Sequence, residues 1–233
     1  MQLIGMLDSP YVRRVAISFR LLGLSFEHRS LSVFRQVEAF AAINPVVKAP
    51  SLVCDDGTVL MDSTLILEYA QLLAAPGRSL VPAGLAQAQR DLRLIGLTLA
   101  ACEKAVQIVY ERSLRPPEKR HEPWMVRVRG QLGAAYAALE AELASAPLAR
   151  TSGSITQAGV TAAVAWEFTQ SVLADTVSAA AHPALAGAQC CRRGLAGISR
   201  AAAALTGRIF TVHLIFCRTC RGEARTPDDR IRP

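Results

Sequence analysis

The sequence predicts an α/β unit followed by an all-α helical bundle. In residues 1–75, short apolar runs alternate with segments of helical period in the order β-α-β-α-β-β-α. Ala75-Pro-Gly-Arg-Ser-Leu-Val-Pro82 is linker by composition. Beyond it the apolar residues Leu92, Ile95, Leu99, Cys102, Val106 and Val109 recur three to four apart, as on one face of a long helix. We therefore expect an N-terminal domain over 1–75, a linker over 76–84 and an all-α domain over 85–186, with an atypical tail over 187–233.

Residues 2–6 read as a short strand, and 11–22 as a helix with Val12, Val15, Ala16 and Phe19 on one face. Gly23 sits where a helix C-terminus favours glycine. A second strand fits 26–30. A short helix over 36–43 must end before Asn44-Pro45, because the residue before Pro is pushed out of helical geometry. Strands over 51–54 and 59–61 flank Asp55-Asp56-Gly57, a hairpin signal, and a helix over 63–73 closes the unit. In the second unit, helices are expected over 85–113, over 124–143 with Pro123 at its start, and over 157–173 with Thr156 as N-cap. The Ala-rich run over 133–146 is good helix.

Charge and cysteine are unevenly placed. The net charge is +7, yet residues 187–233 hold nine of the 26 Lys plus Arg and three of the 19 acids. The body is nearly neutral, and without a stripe of basic and aromatic residues a nucleic-acid partner is not supported. No apolar run reaches the ~20 residues a membrane span needs, and Met1-Gln-Leu-Ile-Gly lacks a basic leader region, so a cytoplasmic location is expected. Cys54 and Cys102 read as small core residues. Cys190, Cys191, Cys217 and Cys220 cluster in the tail, where Cys217-Arg-Thr-Cys220 lacks a second ligand pair. His28, His121, His182 and His213 are scattered, and no metal is expected.

Three short motifs carry the chemistry. In Asp8-Ser9-Pro10-Tyr11-Val12-Arg13-Arg14-Val15, Pro10 is a favoured first helical residue, which puts Ser9 at a helix N-terminus. Asn44-Pro-Val-Val-Lys-Ala-Pro50 precedes a short strand, where a Pro cannot donate to a ladder. One economical explanation is a turn through a cis Ala49–Pro50 bond that leaves the Ala49 backbone free to pair with something else. Met61-Asp62-Ser63 opens a helix whose free N–H groups suit a carboxylate, while Asp62 suits an ammonium group. Together they suit an amino-acid head group, with extended peptide lying along Ala49.

In this order and spacing the motifs resemble the glutathione transferase family over residues 1–185, in its serine form. The resemblance implies a thioredoxin-like N-terminal domain, which the element order also describes, glutathione as co-substrate, a small hydrophobic electrophile as its partner, and a homodimer. It implies glutathione contacts from Lys48, Ala49, Pro50, Asp62 and Ser63, with Ser9 as the catalytic residue. Lys48 suits the glycyl carboxylate or is simply solvated.

The implied chemistry has a physical basis. A free thiol with pKa ~8.5 is mostly protonated at neutral pH, whereas helix-terminus settings pull thiols to ~3.5–7.5. A hydroxyl donor at such a terminus, lowering the thiol by two units, favours the thiolate by roughly 2.7 kcal/mol. The enzyme then supplies no covalent residue, only a stabilised thiolate beside an apolar pocket.

Ser9 also fits an ordinary helix cap, and Asp62 and Ser63 fit capping roles too; the three motifs in company favour the ligand reading. Tyr11 is the rival hydroxyl and is expected to point elsewhere. Glu103, Arg112 and Trp124 are candidates for the electrophile pocket, with bundle packing or solvent exposure favoured for them. A glutathione-dependent reductase or isomerase is a competing reading, although Ser rather than Cys implies conjugation. A non-catalytic glutathione-binding or interaction protein is the other, favoured if the tail leaves the pocket unformed.

Two departures from the family pattern stand out. Relatives usually carry Asp three residues after the Thr156 position, forming a capping box, whereas Gly159 stands here. That loss is expected to cost on the order of 1–2 kcal/mol. The tail is Arg-, Cys- and Gly-rich without sustained periodicity, and residues 209–216 form an apolar, β-branched patch. We expect a reading frame lost near residue 187; an uninterrupted coding sequence across that codon in source DNA would reject this.

Overall fold

The structure is a computed structural model that describes residues 1–149 and 154–189. The expectations for the tail beyond Gln189, with its four cysteines, His213 and the apolar patch, lie outside the described residues.

The first unit runs β1 (Gln2–Ile4), α1 (Pro10–Leu22), β2 (Glu27–Arg29), α2 (Val37–Ala41), β3 (Ser51–Val53), β4 (Val59–Met61) and α3 (Ser63–Leu73). The four strands form one mixed sheet in the order β2-β1-β3-β4. β1 and β2 are parallel, as a helical crossover requires, whereas β3 pairs antiparallel with both β1 and β4. This is the thioredoxin-like arrangement that the element order predicts. Gly23 ends α1 at φ 75°, where its N–H reaches the Arg20 carbonyl and the Leu24 N–H reaches that of Phe19. Leu3, Val12, Val15, Phe19, Leu52 and Ile66 close the core between sheet and helices.

The second unit is helical: α4 (Leu85–Leu114), α5 (Glu122–Ser145), α6 (Gln157–Val172) and α7 (Pro183–Gln189). Single 3₁₀ turns at Pro117–Lys119 and Ala179–Ala181 make two of the corners. The core here gathers Leu94, Ala105, Ile108, Leu132, Tyr136 and Trp166, with the Tyr136 and Trp166 rings edge to face at 5.3 Å. Truncating a buried aromatic such as Trp166 removes about 3–5 kcal/mol.

The predicted apolar face of α4 needs correction. The residues it buries are Asp91, Leu94, Thr98, Ala101, Cys102, Ala105 and Ile108, whereas Leu92 is 68% exposed. A helix touching several partners carries more than one apolar stripe, and the small residues Ala101 and Ala105 are fully buried here. Of the stripe read from the sequence, Cys102 is buried and Ile95 and Val109 pack against the core, whereas Leu92 faces outward.

The start of α6 is also arranged differently from expectation. Thr156 occupies the N-cap position with extended backbone but makes no side-chain cap bond. Instead its hydroxyl donates to Asp91 Oδ1 at 2.6 Å, and the Ala158 N–H donates to Asp91 Oδ2 at 3.1 Å. A carboxylate on α4 thus accepts the first-turn N–H that the Thr156 hydroxyl would otherwise have capped. Gly159 suits Ile155 folded over it, since an added Cβ would meet Ile155 Cγ1 at 3.0 Å.

The two units are joined chiefly through α1 and α6. Ile17, Val160 and Val164 form a small apolar cluster, and Ser18 Oγ donates to Gln157 Oε1 at 3.1 Å. The helix that Ser9 caps is thereby held against the bundle.

Candidate active site

Ser9 caps α1 with extended backbone (φ −67°, ψ 124°), and Pro10 follows at the first helical position. The Val12 N–H donates to Ser9 Oγ at 3.5 Å, long beside the usual ~2.7–3.2 Å. The cap bond is therefore weak, and the hydroxyl keeps its own hydrogen for another acceptor. The loop before Ser9 turns at Gly5 (φ 134°), where a Cβ would meet Val12 Cγ2 at 2.7 Å, so only glycine fits without a shift. Arg13 braces the same loop: its Nε donates to the Leu7 carbonyl at 2.8 Å, and Nη1 lies 3.5 Å from Glu167 on α6.

The Ala49–Pro50 bond is cis, as the sequence suggested, and Val47 beside it has φ 53°. Two buried polar residues pin this loop. Asn44 Nδ2 donates to Ser51 Oγ at 2.8 Å, and Ser51 Oγ donates to the Lys48 carbonyl at 2.7 Å. Neither residue was singled out from the sequence, although Asn before Pro is a turn signal.

Asp62 caps α3 with φ 74°, a left-handed backbone uncommon outside glycine. Its Oδ1 accepts from the Thr64 N–H at 2.9 Å, while Oδ2 lies 3.5 Å from Lys48 Nζ. The first and third motifs are also tied together: Arg14 Nη1 donates to Ser63 Oγ at 3.0 Å and to Thr64 Oγ1 at 3.3 Å. Ser63 and Arg14 are both buried. Burial pulls the Arg14 guanidinium down to about 10.

A cavity of about 840 Å³ lies between the two units. Ser9, Lys48 and Ala49 line it on one side, and Val106, Val109, Tyr110, Leu114, Phe168 and Val172 on the other. Phe34 and Tyr110 meet edge to face across it, with ring centroids 5.4 Å apart. Val106 and Val109, read from the sequence as members of the apolar face of a long helix, are cavity wall, as are Phe168 and Val172 of α6. Pro50, Asp62 and Ser63 stand outside its lining; the Lys48–Asp62 pair links the α3 start to its edge.

The other candidates fall as follows. Tyr11 lines the cavity, but its hydroxyl sits beside Cys102, and burial first, then the Cys102 thiol, push it above the usual phenol range. Cys102 is itself pushed up to about 12 by burial. Glu103, Arg112 and Trp124 are not cavity wall. Glu103 bonds Lys104 and Gln107, Arg112 bonds Asp175 and Thr176, and Trp124 is 46% exposed. Among the described residues no three His, Cys, Asp or Glu side chains gather as metal ligands, and no helix is long and apolar enough to cross a membrane.

The sequence profile of the glutathione S-transferase N-terminal domain matches residues 3–78. The uncharacterized GST-like protein YibF of Escherichia coli (strain K12) is 28% identical over 149 residues, which span 64% of this chain and 72% of that protein. A glutathione transferase family member from Pseudomonas fluorescens Pf-5, solved with bound S-(propanoic acid)-glutathione, is 29% identical; the match covers 81% of this chain and 92% of that one, at a TM-score of 0.65. Residues 3–78 are a glutathione S-transferase N-terminal domain, and the chain beyond them is similar to members of that family. A second glutathione S-transferase, from Methylobacterium radiotolerans, shares the fold at a TM-score of 0.75, with 24% identity over 99% of this chain and 98% of that one. The matched N-terminal region contains Ser9, the Ala49–Pro50 turn and the start of α3, so all three motifs lie within it.

Proposed function

We propose that this chain binds glutathione and stabilises its thiolate for attack on a small hydrophobic electrophile. One observation carries the reading: Ser9, at the head of α1, and the Lys48–Ala49 edge share a cavity whose far wall is apolar. The glutathione and S-(propanoic acid)-glutathione bound to the Pseudomonas family member support the same ligand class.

In this mechanism the γ-glutamyl ammonium takes Asp62 from Lys48, and the freed Lys48 turns to the glycyl carboxylate. The γ-glutamyl carboxylate faces the first turn of α3 at Ser63, where N–H groups and dipole favour an anion. The Ala49 backbone pairs with the extended cysteinyl residue, and Pro50 shapes that turn. The thiol then lies near Ser9. Its proton leaves to solvent, the Ser9 hydroxyl donates to the sulfur, and the sulfur lone pair forms a carbon–sulfur bond to an electrophile held by the α4 and α6 side chains, while the carbon–halogen bond of an aromatic halide breaks and halide departs to solvent with its bonding pair. Serine at this position favours conjugation over thiol reduction.

We take residues 1–75 as the glutathione-binding domain, 76–84 as the linker and 85–186 as the helical domain. We further propose a homodimer. Leu65 and Leu72 on α3 are 58% and 81% exposed, and Leu85 and Leu92 on α4 are 85% and 68% exposed, which suits a covered interface.

Calorimetric titration with glutathione, followed by a conjugation assay with a small aromatic halide, tests the function. Saturable binding with turnover above the buffer rate is expected. Absence of glutathione binding at millimolar concentration overturns the reading; binding without turnover moves the chain to a glutathione-binding protein.

A further inference from the structure

Two formally charged side chains are buried among the described residues, Arg14 and Asp91. Asp91 is accounted for by the cap of α6. Arg14 is not accounted for: it is 2% exposed, its Nε has no partner, and no carboxylate lies within ion-pair distance of it among the described residues. A guanidinium out of water without a counter-ion is costly to keep. Its position shows what the charge faces. Nη1 donates to the Ser63 and Thr64 hydroxyls, the first two residues of α3.

A hydroxyl that accepts a bond from a cation keeps its own hydrogen for donation elsewhere, and the cation polarises that hydrogen. Among the described residues no acceptor takes the hydrogen of Ser63. Asp62 is the nearby acid, but one of its oxygens accepts from the Thr64 N–H and the other faces Lys48. Arg14, Lys48 and Asp62 together leave one positive charge in excess at the start of α3. An amino-acid head group matches that arrangement, with its ammonium on Asp62 and its carboxylate over the first turn of the helix.

We infer that Arg14 is a positioning residue, a buried counter-charge that acts through the Ser63 and Thr64 hydroxyls on the α-carboxylate of the γ-glutamyl head group. The inference rests on the glutathione reading above. A mere brace between α1 and α3 would affect stability and every ligand alike; a counter-charge acts on the ligand carboxylate alone.

The test is a cycle between protein and ligand on the full chain, using glutathione and 4-aminobutyryl-cysteinyl-glycine, which lacks only that carboxylate. Wild type is expected to bind glutathione about 100-fold more tightly than the analogue, the scale of charge-assisted hydrogen bonds. In Arg14→Met the preference should fall to about tenfold or less, with the analogue's own affinity nearly unchanged, and Arg14→Lys should lie between. An undiminished preference in Arg14→Met overturns the role of Arg14 while leaving the glutathione site standing. Equal binding of both ligands by wild type overturns the head-group site and this inference with it. Should Arg14→Met fail to fold, Ser63→Ala reads the same relay: its preference must also fall, and a preference equal to wild type rejects the mechanism.

Discussion

Replacing Ser9 by Ala separates a catalytic hydroxyl from a helix cap, and the geometry sets the expected sizes. The Val12 N–H reaches Ser9 Oγ at 3.5 Å, so the cap contributes at the low end of the usual range, about 0.5 kcal/mol. Loss of one preorganised donor to a developing or stable anion costs roughly 10- to 1000-fold in rate. The two effects differ enough to be told apart. Glutathione affinity should hardly move, because the proposed head-group contacts lie on α3. A donor to the sulfur lowers the pKa of the bound thiol, so its removal raises that pKa toward the free value of ~8.5. The rate deficit of Ser9→Ala should therefore be largest near neutral pH and shrink as pH rises past the raised value. Ultraviolet absorbance of the thiolate, titrated with both proteins saturated with glutathione, reads the shift directly, and urea unfolding reads the cap. Superimposable titration curves, with stability lower by a kilocalorie or more, would refute the catalytic role and leave Ser9 a cap.

Asp62→Asn keeps an acceptor for the Thr64 N–H but removes the charge, so it should weaken glutathione binding by about 1.5–3 kcal/mol with little change in stability; unchanged affinity by calorimetry places the head group elsewhere. Asp91→Ala strips two bonds from the start of α6 and should lower unfolding free energy by about 2–4 kcal/mol in a urea titration, whereas a loss below about 0.5 kcal/mol would mean that solvent caps the helix equally well. Leu72→Glu and Leu85→Glu each place a charge on the proposed dimer face; sedimentation should show dimer for wild type and monomer for the variants, and a wild-type monomer at micromolar concentration rejects the interface.

What the sequence disclosed follows from how local each signal is. β4 and α3 begin and end at the predicted residues because a turn glycine, a period change and a capping acid all fall within a few positions. The cis Ala49–Pro50 turn was legible because a proline cannot join a ladder. The cavity wall was not legible. Phe34 comes from the segment before α2 and Tyr110 from α4, and nothing in either segment announces the other. Arg14 was hidden differently. With Val12, Val15, Ala16 and Phe19 marking one apolar face of α1, the Arg14, Ile17 and Ser18 side reads as solvent-facing. It is instead a second buried face, and its polar members meet polar partners on α3 and α6.

The start of α6 shows the same limit in energetic terms. Read locally, Thr156 followed by Gly159 is a broken capping box, and the expected consequence is a weakened helix. The N–H groups at that helix start must nevertheless find an acceptor, because they are buried with Ala158. Asp91 provides it from 65 and 67 residues away in sequence, and in doing so it also takes the Thr156 hydroxyl. The idle Thr156 cap and the buried acid at position 91 are therefore one feature seen from two helices. Gly159 also leaves room for Ile155 to fold over the first turn and join the cluster of Ile17, Val160 and Val164. That cluster presses α1 against α6, and Ser9 caps α1. The capping acid of the helical domain thus helps hold the candidate catalytic residue at the cavity, although it touches neither the cavity nor the ligand.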